Sequence, residues 1–312
     1  EKVTYANVEY VDLPGISRGE GKAALEGQGR DMSAYLNSLK NVEALLHIVR
    51  AFDDPNIPHI EGAVGPKRDI ELFDIELIFS DLAIVEKRLE RLAVDMKKIK
   101  SRDLELEHEV LVRFRDALES ERPLRELELT PEEEKRVKGF TFLSAKPLLL
   151  VMNIADRDAP EMDNVIEEYG LQKQAEMVKV GITAVCGKIE SEIAELSPED
   201  ASMFMDDLGL TGSAVDRIIQ SSYDLLGVFS FYTAGEPEAR AWTIPRDTTA
   251  AKAAGVIHTD FEKGFIKAEV VSFQDMMELG SFQAARSKGL LRLEGRDYKV
   301  QEGDVILFRF NL

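Results

Sequence analysis

The chain is 312 residues long and 44% hydrophobic, enough for two or three domains with buried cores, and no apolar run reaches the length that spans a bilayer. A net charge of −19 argues against a protein that coats DNA or any other nucleic acid over its whole surface. The single cysteine, Cys186, excludes an internal disulfide and fits a reducing cytoplasm, and the four histidines (47, 59, 108 and 258) lack metal-ligand spacing.

Residues 3–11 alternate and then run apolar through Val3, Tyr5, Val8, Tyr10 and Val11, which predicts a strand. Asp12-Leu13-Pro14-Gly15-Ile16 follows directly. An aspartate at a strand's carboxyl end, before a turn glycine, suits a magnesium-side carboxylate with the glycine amide facing a terminal phosphate. The same residues also make an ordinary turn, and taken alone they leave both readings open. A glycine- and charge-rich stretch, residues 17–29, is expected to pack no core. A helix over residues 32–40 then leads to a buried strand over 44–49. The long loop of charge and proline after it suits the carboxyl edge of a parallel sheet.

From Asp69 the pattern is that of long helix. Leu82, Val85, Leu89, Leu92, Met96 and Ile99 recur at alternating spacings of three and four, a heptad seam. A second series, Leu104, Leu111, Phe114 and Leu118, predicts the return helix of an antiparallel hairpin with Ser101-Arg102-Asp103 between the two. Burying each seam side chain stabilises the hairpin by roughly 1.5–3 kcal/mol. The hairpin reads either as a structural arm packed on itself or as an arm that docks a partner. Thr130-Pro131-Glu132-Glu133 has the N-cap, first-position proline and third-position glutamate of a helix start.

Leu148-Leu149-Leu150-Val151-Met152 is a strand buried on both faces, of the parallel kind, and Asn153-Ile154-Ala155-Asp156 stands at its end. Helices are expected near 163–168 and 172–178. Strand residues through Val185 then lead by Cys186-Gly187-Lys188 into a helix over 189–196, with two more helices to Leu226. From Phe229 the texture changes to short strands (229–232, 239–243, 265–271, 298–300 and 305–310) with helices at 249–254 and 273–277 inserted. That is a small α+β module of about 80 residues. This module carries 11 Lys+Arg against 12 Asp+Glu, whereas the first 228 residues carry 28 against 46. Only the C-terminal part is electrically suited to approach a phosphate backbone.

Three strand-end motifs thus stand in the order of a P-loop NTPase, and the whole chain from Lys2 resembles the YchF/Obg-like ATPase family. The residues that carry the resemblance are Val11-Asp-Leu-Pro-Gly15, His47-Ile-Val-Arg-Ala-Phe52, Lys146-Pro147 leading to Asn153, and above all the C-terminal run. In that run Tyr232-Thr-Ala-Gly235, Arg240-Ala-Trp-Thr243, Lys252-Ala-Ala-Gly255, residues 257–265 and Leu293-Glu-Gly-Arg-Asp-Tyr298 read like a TGS domain. The resemblance implies an α/β P-loop NTPase-type, mostly parallel sheet, N-terminally incomplete, with an inserted antiparallel helical hairpin and a C-terminal α+β β-grasp (TGS) domain. The implied division is 1–80 and 140–228 for nucleotide binding, 81–139 for the hairpin and 229–312 for TGS.

It further implies a cytoplasmic, ribosome-associated hydrolase of ATP, or GTP, with Mg²⁺, contacting the ribosome through the TGS domain and helical arm, and no membrane or DNA partner. Asp12 would bind magnesium through water, and the Gly15 amide would contact the terminal phosphate. Ile16 takes the place of the water-orienting glutamine of Ras-like GTPases; an apolar side chain cannot polarise water, which fits slow, partner-stimulated hydrolysis, although Ile16 also reads as a turn residue packing inward. Asn153, Ile154 and Asp156 would read the base from one side, and Val185, Cys186 and Gly187 would hold it from the other. Asn153 also reads as a strand-end residue bonding neighbouring loops. Cys186 reads either as a redox-sensitive gate or as a small residue filling a tight loop, and His258 as a structural residue or an RNA contact.

Two departures matter. The family usually ends the base motif with Glu, and Asp156 has the GTPase side-chain length. A carboxylate buried unpaired against adenine would be costly, so Asp156 must turn away or read guanine; ATP is the narrowly favoured substrate. No Gly-x-x-x-x-Gly-Lys-Ser/Thr occurs in these residues. The expectation is that the gene product is longer, and that this polypeptide alone neither binds nucleotide tightly nor hydrolyses it. The competing expectation is a TGS-containing ribosome or RNA adaptor in which nucleotide is only a switch ligand or is not bound.

Overall fold

A computed structural model describes residues 2–13, 35–210, 212–235 and 238–311. The chain divides into two compact units, Glu1–Val11 with Leu226–Leu312, and Asp12–Leu225. Gly15 and Ile16, and the first residues of the helix expected over 32–40, lie outside the described residues.

The larger unit is built on a three-stranded parallel sheet, β2 (Leu45–Arg50), β3 (Leu148–Asn153) and β4 (Val180–Val185), with β3 in the middle. The unbroken apolar run of β3 buries both faces, as its composition predicts. Leu148, Leu150 and Met152 join one core with Leu45, Val49, Ala184 and Cys186. Leu149 and Val151 face the other way, onto Ala214, Ile218 and Leu225 of the helix Ala214–Leu226. The register aligns Arg50, Asn153 and Val185, so all three strands end at one level and release their loops on one edge.

Between β2 and β3 the chain makes α1 (Pro66–Lys98) and α2 (Arg102–Glu119), the expected hairpin. Val85, Leu92, Leu111, Phe114 and Leu118 are buried in its core, with Leu82, Leu89, Met96 and Leu104 packed against them. Ile99 departs from the seam. It lies just past the last turn of α1, exposed, because the chain leaves helical geometry there to reverse direction. Arg88 clamps Glu107 across the hairpin with two bonds of 2.7 and 2.8 Å. α3 (Pro131–Val137) starts with the full capping box expected of Thr130 and Glu133.

The smaller unit is a six-stranded mixed sheet in the order β1-β6-β5-β9-β7-β8, with β1 at Lys2–Thr4. Its strands are β5 (Val228–Ala234), β6 (Glu238–Pro245), β7 (Phe265–Ser272), β8 (Arg292–Glu294) and β9 (Asp304–Phe310). The helix Ala250–Ile257 lays Ala250, Ala253 and Ala254 against Phe231, Ile244, Val270 and Ile306. This is the grasp of a sheet around one helix, and the alanines let helix and sheet approach closely. Residues 298–300, expected as a strand, make only an isolated bridge from Lys299 to Thr249.

One element differs more. The strand expected over residues 3–11 shrinks to β1 (Lys2–Thr4), and it does not join the three-stranded sheet. It pairs in parallel with the edge of β6. The side chains of Lys2 and Thr4 both bond Glu238, and the backbone pairing of β1 covers the edge of β6.

Candidate functional site

The level carboxyl edge of β2-β3-β4 gathers the loops that hold the candidate residues, and Asn153 knots them. Its backbone carbonyl accepts from Ala51 N–H at 2.8 Å, and its side-chain Oδ1 accepts from Gly187 N–H at 3.0 Å. Ile154 N–H donates to Val185 O at 2.9 Å. A side chain at Gly187 would bring a Cβ to 3.3 Å from Asn153 Oδ1, tight enough to push the amide aside. Asn153 therefore does the loop-bonding work that its place at a strand end suggests.

Asp156 turns outward. One carboxylate oxygen meets Lys188 Nζ at 2.5 Å, and the other accepts from Arg157 N–H at 3.0 Å. The Lys188 ammonium, with the Arg157 amide, holds the Asp156 carboxyl below its ordinary range, and the Lys188 pKa is raised by the same bond. The pair closes across the two loops that follow β3 and β4. Ile154 and Cys186 point the other way, each 2% exposed within the core, and Val185 is buried on the opposite face. The loop surface above them is thus made by backbone together with Asn153, Asp156, Gly187 and Lys188. The Cys186 thiol is free and buried, filling the turn.

A residue of the run His47–Phe52, whose role the sequence did not mark, organises the third loop. Arg50, at the end of β2, donates to the carbonyls of Phe52 (2.9 Å) and Ile57 (2.8 Å) and stacks its guanidinium on the Phe52 ring. This folds residues 51–65 around a cavity of about 380 Å³ lined by Arg50, Asp53, Asp54, Pro58 and His59. His59 is fixed from both sides, Nδ1 accepting from Glu61 N–H at 3.1 Å and Nε2 meeting Asp69 at 3.1 Å. The one signal in the chain was an arginine at a strand end before a proline-rich loop.

Asp12 is exposed, and its neighbour Leu13 packs on the core of the larger unit. Among the described residues no three His, Cys, Asp or Glu side chains gather to hold a metal. A single carboxylate nevertheless suits Mg²⁺, which keeps most of its waters and takes one or two protein oxygens beside phosphate.

Residues 228–311 match a family model described as a protein of unknown function (DUF933), bearing the name YchF-GTPase_C. The ribosome-binding ATPase YchF of Bacillus subtilis is 43% identical over 309 residues, covering 97% of this chain and 81% of that protein. The Obg-like ATPase 1 of Caenorhabditis elegans is 34% identical, covering 98% and 76%. The solved structure of the Schizosaccharomyces pombe YchF GTPase superposes with a TM-score of 0.73 at 30% identity, over 88% of this chain and 74% of that one.

Proposed function

The chain belongs to the YchF family, and we propose that it serves as a ribosome-associated P-loop NTPase whose preferred substrate is ATP. One observation supports ATP over GTP: Asp156 is already engaged, its carboxylate spent on Lys188 and on the Arg157 amide. A guanine-reading aspartate needs both oxygens free for the base, and adenine offers such a carboxylate no matching pair of donors. With Asp156 turned away, the base would meet Asn153, the backbone of Ile154 and the Val185–Gly187 turn. Asp12 would carry the water-held Mg²⁺, and Gly15 and Ile16 the terminal phosphate and the unassisted water. Ribosome contact would fall to the TGS domain (229–312) and the helical arm (81–139), in a cytoplasmic protein. The nucleotide-binding part would be residues 140–228 with the segment up to 80, less the opening strand that pairs with β6.

Competition of ATP and GTP for a fluorescent ATP analogue tests this reading. ATP should be the stronger competitor, and Asp156→Ala should leave that order unchanged. If GTP is the stronger and the variant loses it while ATP survives, the assignment is wrong. No Gly-x-x-x-x-Gly-Lys-Ser/Thr cradle occurs within the 312 residues, so these residues by themselves should hold either nucleotide weakly.

A further inference from the structure

Away from the carboxyl edge, Arg217 presents an unexplained set of donors. Its Nη1 donates to Gly212 O at 3.2 Å, but Nε and Nη2 are buried without any partner. Those two atoms form the side of the guanidinium that grips a carboxylate with two parallel bonds. Elsewhere in this molecule that side is used so: Arg88 on Glu107 (2.7 and 2.8 Å) and Arg309 on Glu269 (3.2 and 3.3 Å). Leaving such donors buried and unpaired is expensive, so an oxyanion or water must satisfy them.

Arg217 lines a partly enclosed cavity of about 110 Å³, between the outer edge of β4 and residues 162–166. Its wall carries the apolar side chains of Met162, Val165, Ile166, Ile182 and Ala184 together with Thr183. Leu148 N–H donates to Lys179 O and Ile154 N–H to Val185 O, so the odd-numbered residues of β4 turn their backbone to β3. By alternation Ile182 and Ala184 turn theirs outward, at the edge of the sheet where no further strand follows among the described residues. The cavity therefore combines an open guanidinium fork and outward backbone groups with several apolar side chains. Asp163 also lines it, yet among the described residues it makes no ion pair with Arg217. The volume is of the order of the ~150 Å³ cavity that accommodates benzene, a six-heavy-atom ligand.

We propose that this cavity is a binding site for a small aliphatic carboxylate, held by the Nε and Nη2 fork of Arg217 with its hydrocarbon part against Val165, Ile166 and Ile182. Two sources supply that chemistry: a simple short-chain acid, or a free amino acid whose ammonium faces Asp163. Isobutyrate and L-alanine separate them, being of equal size with a methyl group exchanged for an ammonium.

The test titrates each compound into the 312-residue chain, followed by calorimetry and by the backbone amide resonances of Ile182 and Ala184. Saturable binding of at least one compound at millimolar concentration, with saturating shifts of both amides, is the expected result. Arg217→Lys keeps the charge but removes the fork, and should weaken that binding roughly tenfold or more while the thermal midpoint holds. Tighter binding of alanine that Asp163→Asn abolishes identifies the amino acid; tighter binding of isobutyrate identifies the simple acid. Binding of neither compound, shifts that miss these two amides, or affinity indifferent to Arg217→Lys overturns the proposal. The amide shifts are read on the wild-type chain, so a variant that fails to fold leaves that arm decisive.

Discussion

His47 shows how one partly buried side chain in β2 ties stability to pH. Burial pushes its pKa from 6.5 down to about 4 against the opposing pull of Asp74 and Asp69. Its Nδ1 is buried without a partner, and its ring lies 4.4 Å from that of Phe73. The folded state therefore keeps the imidazole neutral where the unfolded chain protonates it. Because the unfolded state binds the extra proton, stability is full above pH 6.5 and falls as the pH drops toward 4, by roughly 3 kcal/mol over the interval. Urea unfolding of wild type and His47→Phe at pH 7.0 and pH 4.5 measures this. The variant should lose distinctly less stability on acidification, and equal losses would remove His47 as the source. At the same scale, Asn153 and Asp156 were legible as site candidates because they stand at a strand end, but not what they bond. The sequence could not place Gly187 N–H beside one or Lys188 beside the other.

At the scale of elements, the hairpin is anchored to the sheet through a buried polar knot. Asp81 of α1, fully buried, accepts from Leu143 N–H (2.9 Å), Ser144 N–H (2.7 Å) and Ser144 Oγ (2.7 Å). Burial raises its carboxyl pKa despite those three donors. Arg125 lies beside it, bonded to Asp74 at 2.7 Å and to the Lys146 carbonyl at 3.2 Å, just ahead of β3. Lys146 in turn donates to the carbonyls of Lys40 and Val42, ahead of β2. Any tilt of α1 is thus felt at the start of both strands whose ends carry the candidate site. Asp81→Ala would strand three buried donors and should cost about 3–5 kcal/mol in urea unfolding. Asp81→Asn, which keeps one acceptor oxygen, should cost less. A loss below about 1 kcal/mol for the alanine variant would mean the knot does not anchor the arm. The heptad spacing announced the two helices; a lone aspartate within it gave no sign of the knot, since its partners lie some 60 residues on.

For the molecule as a whole, charge is unevenly divided. The first 228 residues hold nearly the whole negative excess, and residues 229–312 are close to neutral. An acidic body repels a ribosomal RNA surface while a neutral module with Arg240, Arg286, Arg292 and Arg309 on it does not. Deleting residues 229–312 should therefore abolish co-sedimentation with ribosomes. Undiminished co-sedimentation of the deletion variant would move the contact to the helical arm.

What the sequence by itself determined is what local chemistry controls. An unbroken apolar run makes β3, a three-four spacing makes the hairpin, Thr130 with Glu133 starts α3, and alternating apolar residues make the C-terminal strands. Tertiary structure alone decided whatever depends on which distant segments meet. It placed Lys2–Thr4 on the edge of β6, because a strand's alternation says only that it needs a sheet, not which one. It also set Arg217 facing Met162–Ile166 across β4, since parallel strands with helical crossovers bring together residues 50 positions apart. No spacing along the chain encodes that meeting; the packing of the sheet does.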